Sequence, residues 1–202
     1  MPVQRIVLAS NNSAKLQELA ALLEGLPCEI VNQSAFAVPA ADETGLTFVE
    51  NAILKARHAC AHTELAAIAD DSGLEVDALG GAPGVHSARY AGPNASDTDN
   101  NASLLAALEE IPDARRSARF RCVVVYLRHA RDPAPIIGQG VWEGEILHAP
   151  RGAHGFGYDP LFYVPSHQCP SAELPSQTKN RISHRARALR RLARLMRRNT
   201  PV

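Results

Sequence analysis

Lysine is scarce in this chain. Three lysines, at 15, 55 and 179, stand against eighteen arginines. A compact ammonium does work that a planar guanidinium fork does not, so the neighbours of those three positions point to chemistry. Lys55 lies between two acidic pairs, Asp42-Glu43 and Asp70-Asp71. Adjacent carboxylates repel, and the repulsion is relieved by a raised pKa or a divalent cation. Mg²⁺ takes carboxylate and phosphate oxygens, and Lys55 offers a charge that neutralises the cluster or orients one carboxylate. Asp70-Asp71-Ser72-Gly73 also suits an ordinary turn. An aspartyl-phosphate phosphatase would need Asp-x-Asp at that place, and the sequence does not supply it.

Three further segments carry polar chemistry. Ser10-Asn11-Asn12-Ser13-Ala14-Lys15 stands between a strand pattern and a helix pattern. A helix N-terminus presents unpaired N–H groups and a partial positive charge, which suits a phosphate. Lys15 falls in the first turn, where a cation is unfavourable unless an anion accompanies it, although a simply capped helix explains the same letters. The Walker A pattern is absent. Gly155-Phe156-Gly157-Tyr158-Asp159-Pro160 pairs flanking glycines with a stacking face and a hydrogen-bond acceptor, and a plain turn is its bland alternative. Lys179-Asn180-Arg181-Ile182-Ser183-His184-Arg185 places Ser183 as cap of a final helix. After Glu173 no acidic residue follows, while eight arginines do. That charge reads as the solvated face of an amphipathic helix, with nucleic-acid contact as the sharper alternative.

The elements that must position these residues alternate between strand and helix. Residues 3–9 and 28–31 read as strands. A helix carries Leu16, Leu19, Leu22 and Leu23 and closes at Gly25. Thr47-Phe48-Val49-Glu50 is a capping box opening a helix to about Ala61. Residues 66–69 form a short strand that ends at Asp70, and 80–96 an irregular connection. A helix is expected from Thr98 to Ile111 and a strand over 118–127. Residues 136–147 read as a strand or a hairpin, and 161–164 as a strand. The closing helix bears Ile182, Ala186, Leu189, Ala193 and Met196. The class is α/β, one fold over residues 1–202 with two lobes around a cleft.

Composition narrows the function. Of 202 residues, 46% are apolar and 21% charged, enough for a core. Lys plus Arg and Asp plus Glu both number 21, which argues against binding to nucleic acid or membrane through net charge. No apolar run reaches membrane-helix length, and the N-terminus lacks a signal-peptide core. Four cysteines without metal-ligand spacing read as reduced thiols of a cytoplasmic protein. Together the segments describe a nucleotide site.

The set SNNSAK (10–15), TFVENAILKARHA (47–59), IADDSGLEVDALGGAPGVHSARYAG (68–92), GFGYDP (155–160) and KNRISHRARAL (179–189) resembles the inosine triphosphate pyrophosphatase family. Its bacterial members are the dITP/XTP pyrophosphatases, which act on non-canonical purine nucleoside triphosphates. The likeness runs from the first strand into the last helix. It implies hydrolysis of ITP, dITP and XTP to monophosphate and pyrophosphate, Mg²⁺ dependence and a homodimer. It also implies a long central mixed sheet flanked by helices, with two lobes about a deep cleft. Carried onto matching positions, Ser10, Asn11, Asn12, Ser13, Ala14 and Lys15 cradle the triphosphate. Asp71 is the base that activates water and a metal carboxylate, with Glu43, or its neighbour Asp42, completing the metal environment. Lys55 joins that network and Ser72 touches substrate. Phe156 stacks on the base, and Gly157, Tyr158, Asp159, Lys179, His184 and Arg185 read its edge. The chain departs from the family at Asn11, where Gly is usual, and at Ala14, where Gly or Lys is frequent. Asn tolerates left-handed backbone angles, so the turn is expected to survive. A Maf-type pyrophosphatase of other base preference is the nearest rival, and a non-enzymatic nucleic-acid-binding protein is the rival of another class.

Overall fold

The computed structural model describes residues 3–10 and 13–199. Strands β1 (Gln4–Leu8), β2 (Cys28–Asn32), β3 (Ala66–Val76), β4 (Ser117–Leu127), β5 (Ile136–Ile146), β6 (Phe162–Val164) and β7 (Cys169–Pro170) form one sheet. Their order is β2-β1-β3-β4-β5-β6-β7. β1 runs parallel to both β2 and β3, whereas β5, β6 and β7 pair antiparallel, so the sheet is mixed. The helices are α1 (Ser13–Leu22), α2 (Phe48–Thr63), α3 (Asp97–Ala107), α4 (Ser176–Ile182) and α5 (His184–Asn199). The α/β expectation with a long mixed sheet is met.

The chain divides into two compact units. The first comprises residues 1–71, 122–140 and 187–202. Its core joins Ile6 and Leu8 of β1, Leu19 of α1, Ile68 of β3, Val124 of β4 and Leu192 of α5. Arg197 of α5 donates to Leu22 O at 2.8 Å and Glu24 O at 3.3 Å. A cation there satisfies carbonyls at the end of α1, where the helix dipole is negative. The second unit comprises 72–121 and 141–186. Its core gathers Leu74, Val76, Leu104, Leu108, Phe120, Trp142 and Phe162. Buried Arg116 donates to Leu108 O and Ile146 O, both at 2.8 Å, and to Leu147 O at 3.1 Å. It thereby ties the end of α3 to β5.

Some elements differ from expectation, and one open alternative is resolved. β3 does not end at Asp70 but continues through Asp71, Ser72 and Gly73 to Val76. Turn-prone residues remain extended there because the Asp71 carboxylate is satisfied by side chains of α2, as described below. Residues 136–146 form one strand rather than a hairpin. α3 ends at Ala107, short of Ile111, and the connection after β3 contains a 3-10 turn over Gly84–Arg89. A separate α4 precedes the last helix. Ser183 ends α4 in extended conformation and its Oγ accepts the Ala186 N–H at 3.3 Å, the expected cap of α5. All four cysteines are free thiols. Among the described residues, no helix is long and apolar enough to cross a membrane.

Candidate active site

The first unit gathers the acidic residues around Lys55. The capping box at α2 is complete: Thr47 Oγ1 accepts the Glu50 N–H at 3.3 Å, and Glu50 Oε2 accepts the Thr47 N–H at 2.9 Å. This fixed start sets the phase of the helix, so that Asn51 and Lys55, one turn apart, share a face. Lys55 Nζ donates to Glu43 Oε1 and to Asp71 Oδ1, both at 2.8 Å. Asn51 is fully buried and braces the same cluster. Its Nδ2 donates to Asp71 Oδ2 at 3.3 Å, and its Oδ1 accepts the Gly45 N–H at 2.8 Å. A Cβ on Gly45 would fall 2.7 Å from that Oδ1, so the loop bearing Glu43 needs glycine to approach. Of the pair 42–43, Glu43 is the residue that reaches Lys55. Asp42 makes no ion pair among the described residues.

Burial sets the electrostatics. It pushes the Asp71 carboxyl above its ordinary value, against the pull of the Lys55 ammonium. Burial also works against the charge on Lys55, but Asp71 and Glu43 outweigh it and hold the ammonium above its usual range. The result is a carboxylate with raised basicity, held by two fixed donors. That is what a general base for water requires.

The second unit holds a different cluster, built on the loop before β6. Phe156 is 60% exposed. Lys179 Nζ lies 5.2 Å and Arg185 Cζ 5.8 Å from its ring centroid. Asp159 is buried beneath it as a hub. Its Oδ2 accepts the Phe156 N–H at 2.9 Å and also the Lys179 ammonium, and its Oδ1 accepts Ser171 Oγ at 2.7 Å. Gly155, at φ +87°, is required by this packing, because a Cβ would sit 2.1 Å from Asp159 Oδ2. The arrangement presents one flat apolar face flanked by two cations, which suits a polarised heterocycle.

Asn11 and Asn12 lie outside the described residues, as do the side chains of Ser13, Ala14 and Lys15, although their backbone opens α1. The Ser10 N–H donates to Leu8 O at 2.8 Å. Ser72 is a half-buried residue of β3. Tyr158 was expected to read a base edge, but its ring is buried and its hydroxyl donates to Ser87 O at 2.8 Å. Asp159, read as an open acceptor, has both oxygens engaged within the protein. His184 is buried with its ring stacked on Phe120, centroids 4.8 Å apart and planes 14° apart. Asn51 was missed, although its place one turn before Lys55 on a capped helix was a usable signal. Asp97 and Asn101 were missed too. They hold Gly157, some sixty residues further along the chain, and no local pattern foretells that.

A mixed seven-stranded α/β fold with a lysine-bridged carboxylate cluster and a cation-flanked aromatic platform is the outline of a nucleotide-processing protein. The chain belongs to the Ham1 family, whose profile matches residues 6–195. It is 57% identical over 190 residues to a dITP/XTP pyrophosphatase of Vibrio cholerae, covering 94% of this chain and 95% of the relative. A dITP/XTP pyrophosphatase of Methylococcus capsulatus is 58% identical over 190 residues, covering 94% of each. Among solved structures, a HAM1 protein from Coxiella burnetii aligns with a TM-score of 0.92 at 55% identity, covering 96% of this chain and 99% of that one. The Staphylococcus aureus Ham1 protein aligns at 0.89 with 38% identity, covering 98% and 100%. The resemblance read from the five motifs is upheld.

Proposed function

We propose that this chain is a nucleoside-triphosphate pyrophosphatase that hydrolyses ITP, dITP and XTP to the monophosphate and pyrophosphate, clearing deaminated purines from the nucleotide pool. The observation that carries the reading is Lys55 Nζ held 2.8 Å from both Asp71 and Glu43. It stands in a chain more than half identical to proteins named for this activity. Asp71 takes a proton from water, and the resulting hydroxide forms a bond to the α-phosphorus as the bond to the bridging oxygen breaks. The pair leaves with pyrophosphate. Lys55 holds Asp71 in place and counters the charge that develops on the phosphates.

Mg²⁺ is part of the proposal. No group of three or more candidate metal ligands occurs among the described residues. Mg²⁺ does not need one, since it is commonly held by one or two carboxylates together with substrate phosphates. Asp71 and Glu43 are hard oxygen donors of that number, and they would hold it. Bound there, the ion would supply positive charge to the phosphate oxygens.

For the base, Phe156 supplies the stacking face. Lys179 and Arg185 offer donors that pair with a 6-oxo group and clash with the amino group of adenine. An unpaired buried donor costs roughly 1–3 kcal/mol, so two such contacts give about a hundredfold discrimination. We place the enzyme in the cytoplasm, supported by four free thiols, and as a homodimer, as the family resemblance implies. Pyrophosphate release across ITP, XTP, dUTP, dTTP and GTP tests the function. Preference for ITP and XTP is expected, and preference for a pyrimidine would replace the reading with the Maf-type one.

A further inference from the structure

An exposed phenylalanine is held in place by little of its own packing, so the orientation of Phe156 must be set through its backbone. The peptide on one side is fixed by Asp159. On the other side α3 grips both polar groups of Gly157. Asp97 Oδ2 accepts the Gly157 N–H at 2.6 Å, and Asn101 Nδ2 donates to Gly157 O at 2.8 Å. Asn101 gives its second amide hydrogen to Asp97 O at 2.7 Å, so the two clamp residues brace each other. The clamp carries a local cost. Asn101 Oδ1 is buried and finds no hydrogen-bond partner among the described residues, and turning the amide over would press that oxygen against two carbonyls. Unpaired buried acceptors are uncommon and tend to persist where an arrangement serves a function. α3 is itself anchored, by a capping box at Ser96 and by Arg116 on Leu108 O.

We infer that Asp97 and Asn101 are positioning residues for nucleotide binding. They clamp the Gly157 peptide so that Phe156 is already oriented as a platform before the base arrives. The inference rests on the reading of Phe156 as the base-stacking residue. It assigns α3, an element with no part in the proton transfer, a share of the affinity for the purine.

The test is steady-state kinetics with ITP on Asp97→Ala, Asp97→Asn, Asn101→Ala and Phe156→Ala, with the double variant Asn101→Ala/Phe156→Ala. Asn101→Ala and Asp97→Ala should each raise KM about tenfold, the scale of one lost stacking contact, with kcat within about twofold. Asp97→Asn keeps an acceptor for the Gly157 N–H but loses the charge that favours the start of α3. It should recover most of the affinity lost in Asp97→Ala. If Asp97→Asn is as impaired as Asp97→Ala, the residue serves the helix and not the clamp, and the inference fails. In the Phe156→Ala background, Asn101→Ala should add little further rise in KM. Additive effects would show that Asn101 acts by some other route and would also overturn the inference. A Phe156→Ala variant with unchanged KM would instead remove the stacking reading itself, so the two failures are told apart. Thermal midpoints accompany each variant. Should Asn101→Ala prove unstable, the Asp97 pair alone decides the question.

Discussion

The two clusters solve opposite problems. Around Lys55, in the first unit, charges are taken out of water and matched to one another, with the Lys55 side chain 17% exposed and Asp71 10%. They stand on regular elements, a capped helix and a long strand. Around Phe156, in the second unit, an apolar ring is left in solvent on a loop and is fixed through hydrogen bonds to its backbone. The first arrangement suits chemistry, because fixed charge in a poorly solvated place acts strongly on a developing charge. The second suits recognition, because an open flat face gives binding energy to whatever stacks on it. Ion pairs centred on Lys55 hold the first cluster, and hydrogen bonds to the Phe156 and Gly157 peptides orient the ring of the second, so substitutions in the two should separate turnover from affinity.

The largest expected effect is Asp71→Asn, which removes the proposed base. A loss in kcat of about a thousandfold or more, with KM for ITP nearly unchanged, is the expected outcome of single-turnover and steady-state assays. Next is Lys55→Met, with kcat down about a hundredfold and a change in pH dependence. Asp71 must be ionised to act, and its folded pKa stands above the ordinary carboxyl value. Activity therefore falls as pH drops through that raised value. Without the ammonium that draws it down, the acid limb of a kcat profile should move to higher pH. The stability sign follows from the same shift. The native state binds the Asp71 proton more tightly than the unfolded chain does, so this group's ionisation costs stability as pH rises from the ordinary carboxyl value through the raised one.

Asn51→Ala should cost about 2 kcal/mol and lower Tm by roughly 4–8 °C, since it leaves the buried Asp71 Oδ2 and the Gly45 N–H without their partner. A stable variant with full activity would show that the brace on Asp71 is dispensable. Phe156→Ala belongs to the other cluster and should reverse the kinetic pattern, with KM up about tenfold and kcat little changed. Were it to lower kcat as Asp71→Asn does, the division between the clusters would be wrong. The smallest effect is expected from Arg191→Gln on the exposed face of α5. Stability should stay within about 0.5 kcal/mol and ITP turnover unchanged, as suits a solvated charge and not a substrate contact.

What the sequence made legible was whatever is decided locally. The capping box at Thr47 is four residues long and formed as read, and with it came the phase that brings Lys55 to the acids. The unbroken course of β3 was hidden, because Asp-Asp-Ser-Gly reads as a turn until distant Lys55 and Asn51 satisfy the carboxylate. On the recognition side the letters Phe156, Lys179 and Arg185 were found, and the structure sets both cations beside that ring. Their neighbours Tyr158, Asp159 and His184 are buried. Burial is settled by what packs above a residue, and motif spacing carries no word of that. Asp97 and Asn101 were invisible for a related reason, since their partner is a peptide group and any residue has one.

The extended run through Asp70, Asp71 and Ser72 makes the phase of a pleat decide which acid does the work. Successive side chains on a strand leave by opposite surfaces, so chemically identical neighbours are sent to different company. The second aspartate meets the amine of α2. Insertion of a single residue upstream in β3 would exchange their fates while leaving every letter of the motif intact, so an enzyme silenced in that way would still pass a motif search.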